Sequence, residues 1–101
     1  MDAFVCLVEV HLHVPDSGGL KSKRKQVTSL KEQLKRRFGA AVAEIDGQDT
    51  WQRSTLLCAL VGSADVDDRA DALERFVASR FLDSCRFERE VRSLNDIRHG
   101  L

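Results

Sequence analysis

The chain has 101 residues, of which 43% are hydrophobic and 32% charged, and sixteen Lys and Arg residues balance sixteen Asp and Glu residues. This length fits one small globular domain with one core and leaves no room for a second. The zero net charge excludes an overall attraction to nucleic acid or anionic lipid, so an electrostatic partner has to be recognised through local charge.

The pattern of apolar residues predicts neither a membrane protein nor a secreted one. The longest apolar candidate, 56–61, is far shorter than the roughly 20 residues that cross a bilayer. The first residues lack the basic segment that opens a signal peptide. Cys6, Cys58 and Cys85 lie in apolar stretches, and their odd number fits buried reduced thiols better than disulfides. We therefore expect a cytoplasmic protein.

The first part of the chain predicts a strand followed by a helix. Over 4–12 the apolar residues fall on even positions while the odd ones turn polar, which is the pattern of a half-buried strand. Turn residues at 15–19 end that strand. Over 20–38 apolar residues recur at helical spacing, and Gly39 is placed to end the helix.

The next segments predict a hairpin and a second helix. Residues 40–45 and 53–62 are apolar strands joined by a polar loop, as in an antiparallel hairpin. A helix follows, with Ser63 or Asp65 as its N-terminal cap. The acidic residues in its first turn carry the charge that the helix dipole favours there.

A last strand over 85–94 and a flexible tail over 95–101 complete the chain, although Arg89 falls on the apolar side of that strand without a reason in the sequence. The order β-α-β-β-α-β predicts one α+β domain over 1–94, a ferredoxin-like sandwich with an antiparallel sheet and both helices on one face. In that topology the end of strand one, the loop into helix one and the hairpin loop 46–53 meet at one end of the sheet.

Helix one concentrates positive charge, because residues 20–38 hold eight Lys or Arg residues and one acid. Lys21, Lys23 and Arg24 lie in its first turn, where the dipole disfavours cations. An approaching phosphate or carboxylate would relieve that conflict by accepting from backbone amides. The alternative interpretation is an ordinary solvated helix face.

The hairpin loop is polar around the chain's single Trp, and it supplies the remaining candidates for binding. We predict a binding surface that combines the first turn of helix one with the following residues: His13, Asp46, Gln48, Asp49, Trp51 and Arg53. Turn formation explains the Asp and Gly residues equally well. The Trp needs a surface to cover, which is either the edge of the core or a partner.

Catalytic and metal chemistry receive weaker support from the sequence. His11 and His13 face the same side of strand one and are permissible metal ligands together with Asp46 or Asp49. Partly exposed polar histidines are the commoner case, so we predict no metal site, no cofactor and no catalytic residue. An enzyme built on the carboxylates of Glu44, Asp46 and Asp49 is the least favoured alternative.

The sheet face away from the helices is predicted to be apolar. It presents Val5, Leu7, Glu9 and His11 from strand one, and one of two sets from strand three: Leu57, Ala59 and Val61, or Leu56, Cys58 and Leu60. Because a monomer rarely leaves such a surface in water, we expect a homodimer through this face. The alternative is that the C-terminal tail covers part of it.

Several segments resemble one known family. The residues HVPDS at 13–17, LKSKR at 20–24, AEID at 43–46 and QDTWQR at 48–53 are similar to those of the YlxP-like family of small bacterial proteins. The resemblance covers nearly the whole chain and departs from the family at Gly18-Gly19 and in a longer tail. It implies a ferredoxin-like fold, and since the family's genes often lie among those for translation initiation and ribosome maturation, it implies an RNA or ribosome partner.

The sequence therefore favours a non-enzymatic protein that binds RNA or a ribosomal subunit. Lys21, Lys23 and Arg24 would contact phosphates, while Gln48 and Trp51 would add hydrogen bonds or stacking. The alternative is a dimeric regulatory module that binds a small anion or a metal at the same end of the sheet.

Overall fold

The chain folds around one four-stranded sheet in the computed structural model, which describes residues 2–14, 19–48, 50 and 52–100. The strands in these ranges are β1 (Phe4–His13), β2 (Ala41–Asp46), β3 (Arg53–Gly62) and β4 (Cys85–Ser93). The helices there are α1 (Leu20–Phe38), α2 (Val66–Phe81) and α3 (Leu94–Arg98), with a single 3₁₀ turn at Leu82–Ser84. The strand order is β2-β3-β1-β4 and every neighbouring pair is antiparallel. The predicted α+β, ferredoxin-like class is confirmed.

Alternation along β1 decides which sheet face is buried. Its even-numbered residues from Cys6 to Leu12 are almost fully buried, and the register places Val8 opposite the equally buried Cys58 of β3. The helices cover this face with the following buried residues: Val27, Leu30 and Leu34 of α1, and Val66, Ala70, Leu73 and Val77 of α2. Each such Val or Leu contributes about 1.5–3 kcal/mol of transfer free energy.

The odd-numbered residues of β1 lie on the other side of the sheet, which we call the open face. The register pairs Val5 with Val61 and Leu7 with Ala59, so β3 presents Leu57, Ala59 and Val61 there. This selects the first of the two sets that the sequence left open. Val61 is 66% exposed.

Backbone conformation and hydrogen bonds define the C-terminus of α1 and the N-terminus of α2. Gly39 adopts the left-handed conformation, with φ of 64°, and its amide donates to the Lys35 carbonyl, which confirms it as the residue that ends α1. The N-cap of α2 is Asp65, but its side chain accepts from the Ser63 hydroxyl at 3.0 Å and makes no capping bond to an α2 amide.

Contacts with α2 explain why Arg89 lies on the apolar side of β4. Its guanidinium reaches three carboxylates on one face of that helix, at 3.2 Å to Asp67 and 2.9 Å to both Asp71 and Glu74. Burial lowers the pKa of Arg89, but hydrogen bonds to Asp71 and Glu74 outweigh that effect and hold the pKa above its ordinary value. The residue therefore ties β4 to α2 through a partly buried ion-pair network.

The chain beyond β4 forms a short helix where the sequence predicts an unanchored tail. The Ser93 hydroxyl accepts from the Asp96 amide at 2.9 Å and caps α3. The Leu94 amide donates to the Ala3 carbonyl at 2.8 Å, which fixes the start of α3 to the residue just before β1. None of the helices in the described ranges has both the length and the apolar character needed to cross a bilayer.

Candidate functional site

The three segments that the topology brings together do meet at one end of the sheet. His13 at the end of β1 lies opposite Arg53 at the start of β3, and the Val14 amide donates to the Gln52 carbonyl at 2.8 Å. From α1, the Lys23 ammonium donates to the Gly47 carbonyl at 2.7 Å. The first turns of α1 and the β2–β3 hairpin are therefore in direct contact.

Lys23 makes this contact from inside the protein, which corrects its predicted place on a phosphate-binding surface. Its side chain is fully buried, and Nζ also lies 3.6 Å from the carboxylate of Glu44. That carboxylate accepts from the Ser54 hydroxyl at 2.5 Å. Lys23 is three residues after Leu20 and four before Val27, so it belongs to the buried stripe of α1, and its charge is used within the fold.

Asp46 and Arg53 lie on the side of the β2–β3 hairpin that does not contact α1. The Arg53 guanidinium donates to the Asp46 carboxylate at 3.0 Å, and the Gly47 amide donates to its other oxygen at 2.8 Å. These hydrogen bonds, from Arg53 first and Gly47 second, lower the pKa of Asp46. Both charged side chains are exposed, but they neutralise one another, so they add no net charge to the surface formed by α1.

One flank of α1 keeps its cations on the surface. Arg24, Thr28 and Lys31 line a cavity of about 240 Å³ between α1 and β2, whose opposite wall is formed by Glu44 and Gln48. The Gln48 amide donates to the Glu44 carbonyl at 3.1 Å, which holds the side chain beside α1. Lys35 continues the line one turn further on. We call Arg24, Thr28, Lys31 and Lys35 the basic flank; it extends about 16 Å along the helix axis.

The opposite flank of α1 has a different surface. A larger cavity, of about 610 Å³, lies where α1 approaches the end of α2, and its lining includes Lys25, Leu30, Arg80 and Phe81. Further along α1 the Arg37 guanidinium stacks over the Phe76 ring, with 4.7 Å between its central carbon and the ring centroid. The two flanks of α1 thus present cations to separate surfaces.

The remaining predicted site residues fall into two groups. Lys21 is exposed in the first turn of α1, where no side chain of the described residues caps the helix. His13 is exposed at the end of β1. Asp49 and Trp51 lie outside the described residues, so the predicted stacking role of Trp51 stays a prediction.

The weaker alternative from the sequence grouped His11 and His13 with Asp46 or Asp49, whereas the structure places other carboxylates beside His11. His11 lies on the open face, and among the described residues the carboxylates of Glu9 and Glu88 lie within hydrogen-bonding distance of its ring. His13 lies one register step nearer the end of the sheet, opposite Arg53. Sequence reasoning missed Glu88, because its place beside His11 depends on the pairing of β1 with β4.

Comparison with known proteins gives a family and a fold. The model of a family described as "Protein of unknown function (DUF503)" matches residues 5–88. The "Uncharacterized protein YlxP" of Bacillus subtilis (strain 168) is 36% identical over 69 residues, which are 68% of this chain and 72% of that protein. Among solved structures, "De novo designed protein Foldit4" matches with a TM-score of 0.54 at 9% identity, covering 89% of this chain and 96% of that one. That last likeness concerns the fold alone.

Proposed function

This chain belongs to the DUF503 family of proteins of unknown function, and from that premise we propose that it is a non-enzymatic cytoplasmic protein that binds structured RNA or a ribosomal subunit through the basic flank of α1. The observation that carries the proposal is the line of cations, exposed at Arg24 and Lys35 and half-buried at Lys31, beside a cavity that also offers a hydroxyl and an amide. Cations position a protein on a nucleic-acid backbone, while hydroxyl and amide groups add hydrogen bonds to phosphate and sugar oxygens.

The spacing of the basic flank suits an extended polyanion. Arg24 and Lys31 are seven residues apart, which corresponds to about 10 Å along a helix, and Lys35 lies one further turn away. The first turn of α1, which lies wholly within the described residues, contains no acidic side chain. The partial positive charge of the helix N-terminus therefore adds to that of the side chains.

Glu44 is the acidic group in the wall of this cavity, and its charge is already compensated. The Lys23 ammonium lies 3.6 Å from its carboxylate, and the Ser54 hydroxyl donates to it. Buried Lys23 thus contributes to the surface indirectly, because it offsets a negative charge that would repel phosphate.

The proposal is tested with the paired substitutions Arg24→Glu and Lys31→Glu. We measure binding of labelled structured RNA by fluorescence anisotropy, and of ribosomal subunits by co-sedimentation, at about 50 and 200 mM salt. Three phosphate contacts predict that wild-type affinity falls about 20- to 40-fold between those concentrations. The variant should lose at least tenfold in affinity at the lower salt, with a shallower salt dependence.

The control is the pair Lys25→Glu and Arg36→Glu, which makes the same charge change elsewhere on α1. It should retain most of the affinity if the basic flank is the binding surface. Equal losses in both variants would mean that the helix acts only through its general positive field. Absence of binding by the wild-type protein at both salt concentrations would refute the proposed function.

A further inference from the structure

A cluster of two carboxylates and one imidazole lies on the open face, away from the basic flank. Glu9 and His11 are alternate residues of β1, and Glu88 of β4 lies directly opposite Glu9 in the register. The Nε2 atom of His11 lies 3.3 Å from Oε2 of Glu9 and 3.1 Å from Oε2 of Glu88. One ligand atom from each of the three side chains lies within 4.8 Å of the other two.

The cluster is short of positive charge. Two carboxylates directly opposite one another on neighbouring strands repel. Both face a single Nε2 atom, which carries at most one hydrogen and so cannot donate fully to each. Arg86 approaches the far oxygen of Glu88, at 3.7 Å, and leaves Oε2 turned towards His11.

The distances fit a small divalent cation. Ligand atoms bound to zinc at about 2.0–2.1 Å with tetrahedral angles lie about 3.3 Å from one another. The two separations measured from His11 Nε2 are close to that value. The three side chains are 25%, 39% and 59% exposed for His11, Glu9 and Glu88, so an ion can enter from solvent.

The other nitrogen of His11 is held by a buried hydroxyl. Nδ1 lies 3.3 Å from the Thr55 hydroxyl oxygen, and Thr55 is only 5% exposed. A histidine that binds a metal through one nitrogen commonly donates the hydrogen of the other to an acceptor of this kind, which sets the ring orientation and the tautomer. When the Thr55 hydroxyl accepts from Nδ1–H, the lone pair of Nε2 is directed at the two carboxylates.

We propose that Glu9, His11 and Glu88 bind one divalent transition-metal ion of the zinc class, with Thr55 orienting the imidazole. Three protein ligands leave a fourth position open to water or to a ligand of the metal. This site is independent of the proposed RNA surface, because it uses β1 and β4 on the open face and no residue of α1.

The test is isothermal titration of the full chain, stripped of metal with a chelator, with zinc chloride. We expect one zinc ion per chain. Glu88→Gln and His11→Ala should each weaken binding at least tenfold, while far-UV circular dichroism shows the fold retained. Thr55→Val keeps all three ligands and should weaken binding about tenfold through loss of the orienting hydroxyl.

The matched controls are His13→Ala and Glu90→Gln, which change a neighbouring histidine of β1 and a neighbouring carboxylate of β4. Both should bind zinc as the wild type does. Absorption of the cobalt-loaded protein gives a second measurement, because its visible bands report the coordination geometry and should change in Glu88→Gln. Absence of zinc binding by the wild type, or equal losses in the control variants, would overturn the assignment.

Discussion

The ammonium group of Lys23 lies in a fully buried position, where an unpaired charge would cost several kcal/mol. The Gly47 carbonyl and the Glu44 carboxylate supply the partners that make this burial tolerable. Because one partner is on β2 and the other in the turn that follows, the side chain connects α1 to both. At the scale of single residues, one of the three cations predicted to contact phosphate is thus part of the scaffold.

Replacing Lys23 by Met should lower the free energy of unfolding by about 2–4 kcal/mol, because the Gly47 carbonyl loses its donor from Lys23 and the Glu44 carboxylate loses its compensating charge. Urea denaturation followed by circular dichroism measures the change. Lys21→Met is the control, since Lys21 is exposed in the same turn and should shift stability by less than about 0.5 kcal/mol. Equal stability of the two variants would contradict the structural role of Lys23.

The burial of Lys23 could have been predicted, but its partners could not. The spacing to Leu20 and Val27 places it on the apolar stripe, which the abundance of cations on α1 obscured. Its acceptor at Gly47 lies beyond a register irregularity between Glu44 and Asp46, and no sequence pattern locates such an irregularity. Arg89 shows the same limit, because only the packing of α2 against β4 reveals its three carboxylate partners.

At the scale of elements, the β2–β3 hairpin depends on one backbone conformation. Gly47 has a φ of 85°, which side chains rarely tolerate. A Cβ built there would lie 2.5 Å from the Arg53 carbonyl oxygen and 2.9 Å from the Ser54 Cα, both of which belong to the backbone. The turn that presents Gln48 to α1 and accepts from Lys23 therefore requires glycine at this position.

Gly47→Ala should destabilise the protein by about 2–4 kcal/mol, since strained backbone and steric overlap add to one another. Hydrogen exchange should show lost protection concentrated in β2 and the start of β3. Gly39→Ala separates the two causes, because Gly39 also has a positive φ but its added Cβ would meet an Arg69 side-chain atom at an ordinary 3.7 Å. Gly39→Ala should lower the free energy of unfolding by about 1–2 kcal/mol, the cost of a Cβ in the left-handed conformation. An equal loss at both positions would show that the overlap at Gly47 is relieved.

Elements were predictable wherever a repeating pattern spans many residues. Alternation along β1 placed its even positions in the core, and the helical spacing of α1 and its ending at Gly39 follow from side-chain and backbone chemistry. The cluster around His11 depends instead on Glu88, which lies 77 positions away and arrives through the register of β1 with β4. The capped helix α3 escaped prediction because it is too short to show a periodic pattern.

At the scale of the whole molecule, the open face is divided into two halves. The charged half contains the cluster around His11 and the exposed charges of β4. The apolar half continues from β1 across β3 to the sheet edge at β2, and it consists of Val5, Leu7, Leu57, Ala59, Val61, Ala41 and Ala43. Ala59 lies at its centre, with Leu7 opposite on one side and Ala41 on the other.

We predict that a second copy of the chain covers the apolar half. The patch carries no charge and several small side chains, so it complements itself in a two-fold interface, with the sheets packed about 10 Å apart. Light scattering after size exclusion should give the mass of a dimer, and Ala59→Arg should convert it to a monomer because the interface would have to bury an unpaired cation. Ala64→Arg, at an exposed turn position, is the matched control and should leave the dimer intact. A wild-type protein that stays monomeric across a hundredfold range of concentration would contradict this prediction, and the apolar half would then require a partner other than the chain itself.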